Sequence, residues 1–194
     1  MMEFLQSFDQ KLFLFLNGLH CSFMDGIMWQ VSTKTLWIPF YAVLLFFMIR
    51  KRKKYWWITI LAISVMILFS DQGADLIKNT VQRLRPTHSP TIENMVHVLK
   101  APDGSFYRGG SFGFVSSHAS NSFAIAIFVS MFFSKRWLTV SMFCWAILIC
   151  YSRIYLGVHY PLDVTCGAIL GFSAGIGMFF LERFSYNKIS SRKS

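Results

Sequence analysis

At 194 residues the chain has the length of a single domain, and 54% of its residues are hydrophobic, 18% aromatic and only 14% charged. With 21 Phe, 10 Met and 6 Trp and a mean hydropathy of +0.46, it is neither disordered, a coiled coil nor a collagen-like fibre, and it is too apolar for an ordinary soluble enzyme. The net charge of +10 does not point to nucleic acid, because the basic residues bunch at the ends of apolar runs, as membrane topology requires.

The opening Met1-Met2-Glu3-Phe4-Leu5-Gln6 lacks the basic and apolar regions of a signal peptide, so insertion falls to internal spans. Residues 8–19 hold Leu12-Phe13-Leu14-Phe15-Leu16 and then Asn17-Gly18. They are too short to cross a bilayer and predict a helix lying in the interface. Five later stretches approach the ~20 apolar residues of a spanning helix: 35–49, 55–72, 119–134, 137–152 and 162–181. The third and fourth have short apolar cores and must borrow polar residues at their ends. The expected fold is all-α, a polytopic transmembrane helix bundle of about five spans, six at most, plus the N-terminal interfacial helix. It forms one integral-membrane domain over residues 1–194. Cys144, Cys150 and Cys166 lie in or beside apolar runs, and only Cys21 is in a polar stretch. Neither a disulfide framework nor zinc spacing is present.

Lys and Arg set the orientation. Arg50-Lys51-Arg52-Lys53-Lys54, Lys135-Arg136, and Arg183, Lys188, Arg192 and Lys193 fall on one side, with Glu182 as the single acid there. The other side balances Lys11, Lys34, Lys78, Arg83, Arg85, Lys100, Arg108 and Arg153 against Glu3, Asp9, Asp25, Asp71, Asp75, Glu93, Asp103 and Asp163. The formal charge of the protein therefore lies on one face, which places the C-terminus inside. It also places residues 73–118 and 153–161 outside. The first of these is a long polar segment broken by Pro86, Pro90, Pro102, Gly104, Gly109 and Gly110, and loops of that length are functional or disordered.

Three polar groups stand in these outer segments. In 78–86, Lys78-Asn79-Thr80-Val81-Gln82-Arg83-Leu84-Arg85-Pro86, Lys78 and Arg85 are seven apart and would share a helix face. Together with Arg83 they would converge on an anion, with Pro86 ending the helix; the plainer reading is snorkelling at a membrane edge. In 115–118, Val115-Ser116-Ser117-His118, small residues lead into a helix whose N-terminus favours an anion, with His118 beside it. The plainer reading is Ser116 as an N-cap and His118 as a first-turn residue. In 152–163, Arg153 precedes His159 by six residues and Asp163 follows it by four. An acid at that spacing fixes the imidazole tautomer and leaves a nucleophilic nitrogen, whereas the plainer reading is a buried Arg–Asp pair closing two helices. Two spans separate His118 from Arg153, so all three groups return to one side of the membrane.

In this order, Lys-x6-Arg-Pro, Ser-x-His and Ser-Arg-x5-His-x3-Asp resemble the signature motifs of the type 2 phosphatidic acid phosphatase (lipid phosphate phosphatase) superfamily, from Lys78 to Asp163. The resemblance implies that His159 attacks phosphorus, Asp163 orients it, and His118 protonates the leaving oxygen and then activates water. It implies that Lys78, Arg85, Arg153, Ser116 and nearby backbone N–H groups, Ser117 among them, hold the phosphate, with no metal and no other cofactor. Val115 and Ser117 stand where the family has Pro and Gly, which bears on how closely the backbone approaches the phosphate.

The expected substrate is a lipid phosphate or diphosphate, cleaved at the periplasmic face of a bacterial inner membrane. Undecaprenyl diphosphate comes first, on family frequency. Phosphatidylglycerol phosphate, phosphatidic acid and lipid A phosphates are the alternatives. The loop 87–112, with His88, His97, Lys100 and Arg108, is expected to shape headgroup choice. No protein partner is indicated. A soluble haloperoxidase with a similar pocket conflicts with five spans, and a haem protein would leave Lys78, Arg85 and Arg153 without a role. A non-catalytic lipid-binding relative would be expected to lack a motif His or Arg.

Overall fold

The computed structural model describes residues 2–101 and 104–191. The break expected at Pro102 and the charges of Asp103, Arg192 and Lys193 therefore lie outside the described residues. The chain forms α1 (Met2–Gly18), α2 (Ser22–Ser32), α3 (Ile38–Arg52), α4 (Trp56–Val81), α5 (Ser117–Phe133), α6 (Arg136–Tyr155) and α7 (Pro161–Ser191). Short 3-10 turns connect them, and the loop after α4 holds two isolated bridges, Leu84–Phe112 and Lys100–Phe106.

The five expected stretches become α3 to α7. Pro39 opens α3, and Arg50-Lys51-Arg52 close it, where cations suit the helix C-terminus. Lys53, at φ +48°, breaks the run, and α3 packs back along α4. By length and composition, Lys34–Val81, Arg136–Tyr155 and Pro161–Ser191 are long and apolar enough to cross a membrane, the first of them containing both α3 and α4. The 17-residue α5 is apolar but shorter, in keeping with its short core in the sequence.

The N-terminal region departs from expectation. Its first helix starts at Met2, and a second, α2, follows at a 114° bend. The two together are long and apolar enough to cross a membrane as one bent span. Rather than only lying in an interface, α1 is docked on the bundle. Phe13 is fully buried and meets the Tyr160 ring edge-on at 5.4 Å. The buried Asn17 amide donates to the carbonyls of Ile154 (3.2 Å) and Tyr155 (2.8 Å), and its Oδ1 accepts from the His97 N–H at 2.8 Å. These bonds cap the C-terminus of α6, where the Ile154 carbonyl also accepts from the Gly157 N–H at 3.0 Å.

Along α7, Gly167, Gly171 and Gly175 recur every four residues on the face against α5. A Cβ at Gly167 would stand 2.5 Å from the Ser116 carbonyl oxygen, one at Gly175 2.6 Å from that of Ala124, and one at Gly171 would run into that of Ser120. The two backbones therefore touch, as small residues allow between membrane helices. This contact brings the Ser116 N–H to the Asp163 carbonyl at 3.0 Å, joining two of the motifs through main chain.

The apolar core lies among α3 to α7, around Met48, Met66, Phe128, Met142, Trp145 and Phe179. At one end Arg52 grips the buried Glu182 with two bonds of 2.8 and 2.6 Å, and Thr59 donates to the same carboxylate at 2.7 Å. Lys78 lies about 28 Å further along α4 than Thr59, near the thickness of a bilayer core.

Candidate active site

Residues of all three motifs meet at the Lys78 end of the bundle, around a cavity of about 700 Å³. Its polar end is lined by Lys78, Arg85, Ser117, His118, Arg153 and His159. The same cavity continues between the helices to an apolar floor of Leu44, Met48, Ile63, Met66, Phe128 and Val129.

His159 sits in the turn between α6 and α7 and is 2% exposed. Its Nε2 faces Arg85 Nη1 at 3.4 Å, and its Nδ1 lies 3.5 Å from Asp163 Oδ2, a long contact. Burial, reinforced by Arg85, Arg153 and Lys78, holds the imidazole well below its ordinary pKa, so it is neutral near pH 7. Asp163 is completely buried: Oδ1 accepts from Arg83 at 2.8 Å and Oδ2 from the Tyr160 N–H at 3.0 Å. Gly113 makes this approach possible. A Cβ there would stand 2.9 Å from Asp163 Oδ2 and 3.5 Å from His159 Nδ1.

Arg85 is not on the same helix as Lys78. Gln82, at φ +51°, caps α4 by donating its N–H to the Lys78 carbonyl at 2.9 Å, and the helix ends at Val81. Residues 83–85 run extended, with the Arg85 N–H bonded to the Ser111 carbonyl and the Gly113 N–H to that of Arg83. Arg85 still reaches the cavity, because its Nε donates to the Phe112 carbonyl at 3.0 Å and its Nη1 to that of Val158 at 3.2 Å. Arg83 does not join the cations around the cavity. Its guanidinium is committed to Asp163 and to Asp9 on α1, at 2.8 and 2.7 Å. The buried pair of the third motif's acid is thus Arg83–Asp163, not Arg153–Asp163.

Arg153, 4% exposed, donates to the Ser32 hydroxyl and, at 3.1 Å, to the Tyr107 hydroxyl, while its buried Nε has no partner among the described residues. Lys78 donates to Asp75 at 2.7 Å and to the Ser117 hydroxyl. His118, in the first turn of α5, faces the cavity. Ser116 does not: its hydroxyl caps α5 by accepting from the Ala119 N–H at 3.4 Å, and its own N–H is used by Asp163. From the loop, Tyr107, Gly109 and Gly110 reach the wall, whereas His88, His97, Lys100 and Arg108 are not among the lining residues. His97 instead stacks on His20 at 3.7 Å and contacts Asp25 at 3.0 Å. Asp9, Arg83, Ser32 and Tyr107 escaped the sequence reading as supports of the site. The one available signal was Asp9, an acid flanking an apolar helical run. Among the described residues no three His, Cys, Asp or Glu side chains are grouped closely enough to hold a metal ion.

The family model of the PAP2 superfamily matches residues 59–186, which include every motif residue above. The chain belongs to the PAP2 superfamily. It is 38% identical over 186 residues to the lipid A 4'-phosphatase of Bacteroides thetaiotaomicron, covering 93% of this chain and 80% of that one. Against the lipid A 4'-phosphatase of Porphyromonas gingivalis it is 32% identical over 176 residues, 90% and 72% of the two chains. An undecaprenyl-diphosphatase of Sulfolobus acidocaldarius is 29% identical over 168 residues, 84% and 73% of the two chains. The crystal structure of Aquifex aeolicus LpxE superposes with a TM-score of 0.67 at 25% identity, covering 87% of this chain and 93% of that one. The protein is thus an integral-membrane PAP2 phosphatase, a hydrolase of phosphoric esters or anhydrides.

Proposed function

We propose that this PAP2 phosphatase hydrolyses a phosphate monoester of a lipid A-type lipid, releasing phosphate, through a phosphohistidine at His159. The observation that carries this reading is the buried His159 between Arg85 and Asp163, at the polar end of a cavity whose other end is apolar. Such a cavity suits a phosphate above and lipid carbon below. Undecaprenyl diphosphate gives way to the lipid A alternative because the relatives at 38% and 32% identity carry that name.

Phosphoryl transfer needs positioning and charge stabilisation above all. Lys78, Arg85 and Arg153 supply the charge, and a phosphate oxygen is the acceptor that the unmatched Arg153 Nε calls for. His159 Nε2 attacks phosphorus, and the N–P bond forms as the ester P–O bond breaks. Asp163, held by Arg83, supports the positive charge that then develops on the ring. His118 gives its proton to the leaving alcohol oxygen. Burial, and after it Arg153, His159, Lys34 and Arg85, disfavours the charged imidazole, so His118 depends on the charge of the bound phosphate to hold that proton. In the second half, His118 takes a proton from water, the water oxygen attacks phosphorus, and the N–P electron pair returns to His159.

The asymmetry of basic residues supports a site at the outer, periplasmic face with the C-terminus in the cytoplasm. Phosphate release by the detergent-purified protein from lipid A 4'-phosphate, phosphatidylglycerol phosphate, phosphatidic acid and undecaprenyl diphosphate tests the reading. Release should be greatest from lipid A, persist in EDTA and vanish in His159→Ala. Preference for the diphosphate, or loss in EDTA, overturns it.

A further inference from the structure

A polar pair that the chemistry above does not use stands on the cavity wall between the phosphate end and the apolar floor. Asp71 lies seven residues before Lys78 on α4, and its Oδ1 accepts from Asn121 Nδ2 at 3.1 Å. Asn121 lies four residues after Ser117 on α5, about 6 Å along the helix axis. Both line the cavity. The second carboxylate oxygen of Asp71 has no partner among the described residues, and neither does the buried Oδ1 of Asn121. Immediately beyond them the wall is apolar, with Met66, Ile67, Ile125 and Phe128. Two unmet acceptors, with one of the two Asn121 Nδ2 N–H donors used on Asp71, therefore sit where the alcohol half of a substrate would lie when its phosphate is at His159.

We infer that Asp71 and Asn121 read the alcohol of the substrate, accepting hydrogen bonds from a hydroxyl or amide N–H close to the phosphate ester. The enzyme then selects phosphates of sugar or glycerol lipids over those of plain long-chain or isoprenoid alcohols. The inference rests on the phosphatase reading above and names what that same site recognises. A plain alkyl or isoprenoid alcohol presents only carbon and hydrogen at this level and leaves both acceptors desolvated and unpaired, which is costly. A site built to bond a substrate hydroxyl rejects the analogue lacking it far more strongly than an apolar pocket rejects a missing methylene. A second phosphate at the same level brings like charge against Asp71 and the neighbouring Asp75.

The test is a matched pair of lipids, 2-hydroxyhexadecyl phosphate and hexadecyl phosphate, assayed with the detergent-purified protein. The wild type should favour the hydroxylated lipid by at least about tenfold in kcat/KM. In the Asp71→Leu/Asn121→Leu variant that ratio should fall to within about threefold of one, and the isosteric Asp71→Asn should lower it at least threefold, by removing the charge that strengthens the bond. A wild-type ratio near one overturns the inference without recourse to any variant, as does a tenfold ratio retained by the double variant. With lipid A 4'-phosphate assayed beside them, release from none of the three overturns the proposed function and the inference with it, whereas release from lipid A with turnover of neither hexadecyl lipid, or equal turnover of both, overturns the inference alone.

Discussion

Arg83 Nη1 stands 2.8 Å from Asp163 Oδ1, and the other terminal nitrogen of the same guanidinium stands 2.7 Å from Asp9 Oδ2. The guanidinium also lies 4.1 Å over the Tyr160 ring. One side chain thus ties α1 and the loop after α4 to the start of α7, directly behind His159. Asp9 completes the clamp by accepting the Leu162 N–H at 2.9 Å, one of the first-turn amides of α7 that lack an intrahelical acceptor.

Arg83→Met should therefore act on stability before it acts on substrate binding. It leaves two buried carboxylates without their cation, a loss of about 3–5 kcal/mol for pairs of this kind. Thermal unfolding in detergent should show Tm lower by about 6–20 °C for a chain of this length. A variant within 2 °C of wild type would show that the clamp carries little.

His118→Ala should cost more for poor leaving groups than for good ones. An alkoxide needs its proton as the P–O bond breaks, and general acid catalysis contributes about 100-fold to 10,000-fold, whereas a nitrophenolate leaves with little help. Comparing kcat/KM on an alkyl phosphate and on nitrophenyl phosphate checks this. Equal losses on both would assign His118 to binding.

His159 gives a pH signature of known sign. Burial and the surrounding cations keep the folded imidazole neutral below its ordinary pKa, whereas the unfolded one takes up a proton near pH 6.5. The unfolded state then binds more protons, so stability falls as pH drops from about 7 towards 5, by up to about 1.4 kcal/mol per pH unit. His159→Gln should flatten that part of the Tm-against-pH curve in the absence of phosphate. The same slope in both proteins would show that His159 titrates normally.

The charge pattern and the apolar runs made α3 to α7 legible, because each is a continuous stretch bounded by Lys, Arg, Pro or Gly. α2 was not legible: Asp25, Gln30 and Ser32 interrupt its apolar residues, and Asp25 and Ser32 bond Tyr155 and Arg153 across the fold. The position of Arg85 was misjudged for a local reason, since no Gly or Asn announces the left-handed cap at Gln82. In the site, the motif residues around His159 follow short-range spacings and could be read. Asp9, Ser32 and Tyr107 support it from 74, 121 and 46 residues away in sequence from the arginines they bond. Contacts of that range leave no periodicity behind. Ser116 shows the opposite error: its residue type suits both a phosphate ligand and a helix cap, and only its geometry distinguishes them.

The central claim is that His159 carries the phosphoryl group, and the direct measurement is the phosphoenzyme itself. Purified protein mixed with lipid labelled with radioactive phosphate and quenched in base within one turnover should carry label that is stable in alkali and lost in acid, as a phosphorus–nitrogen bond requires. The label should be absent from His159→Ala. Label retained in that variant, or label stable to acid, would contradict the account.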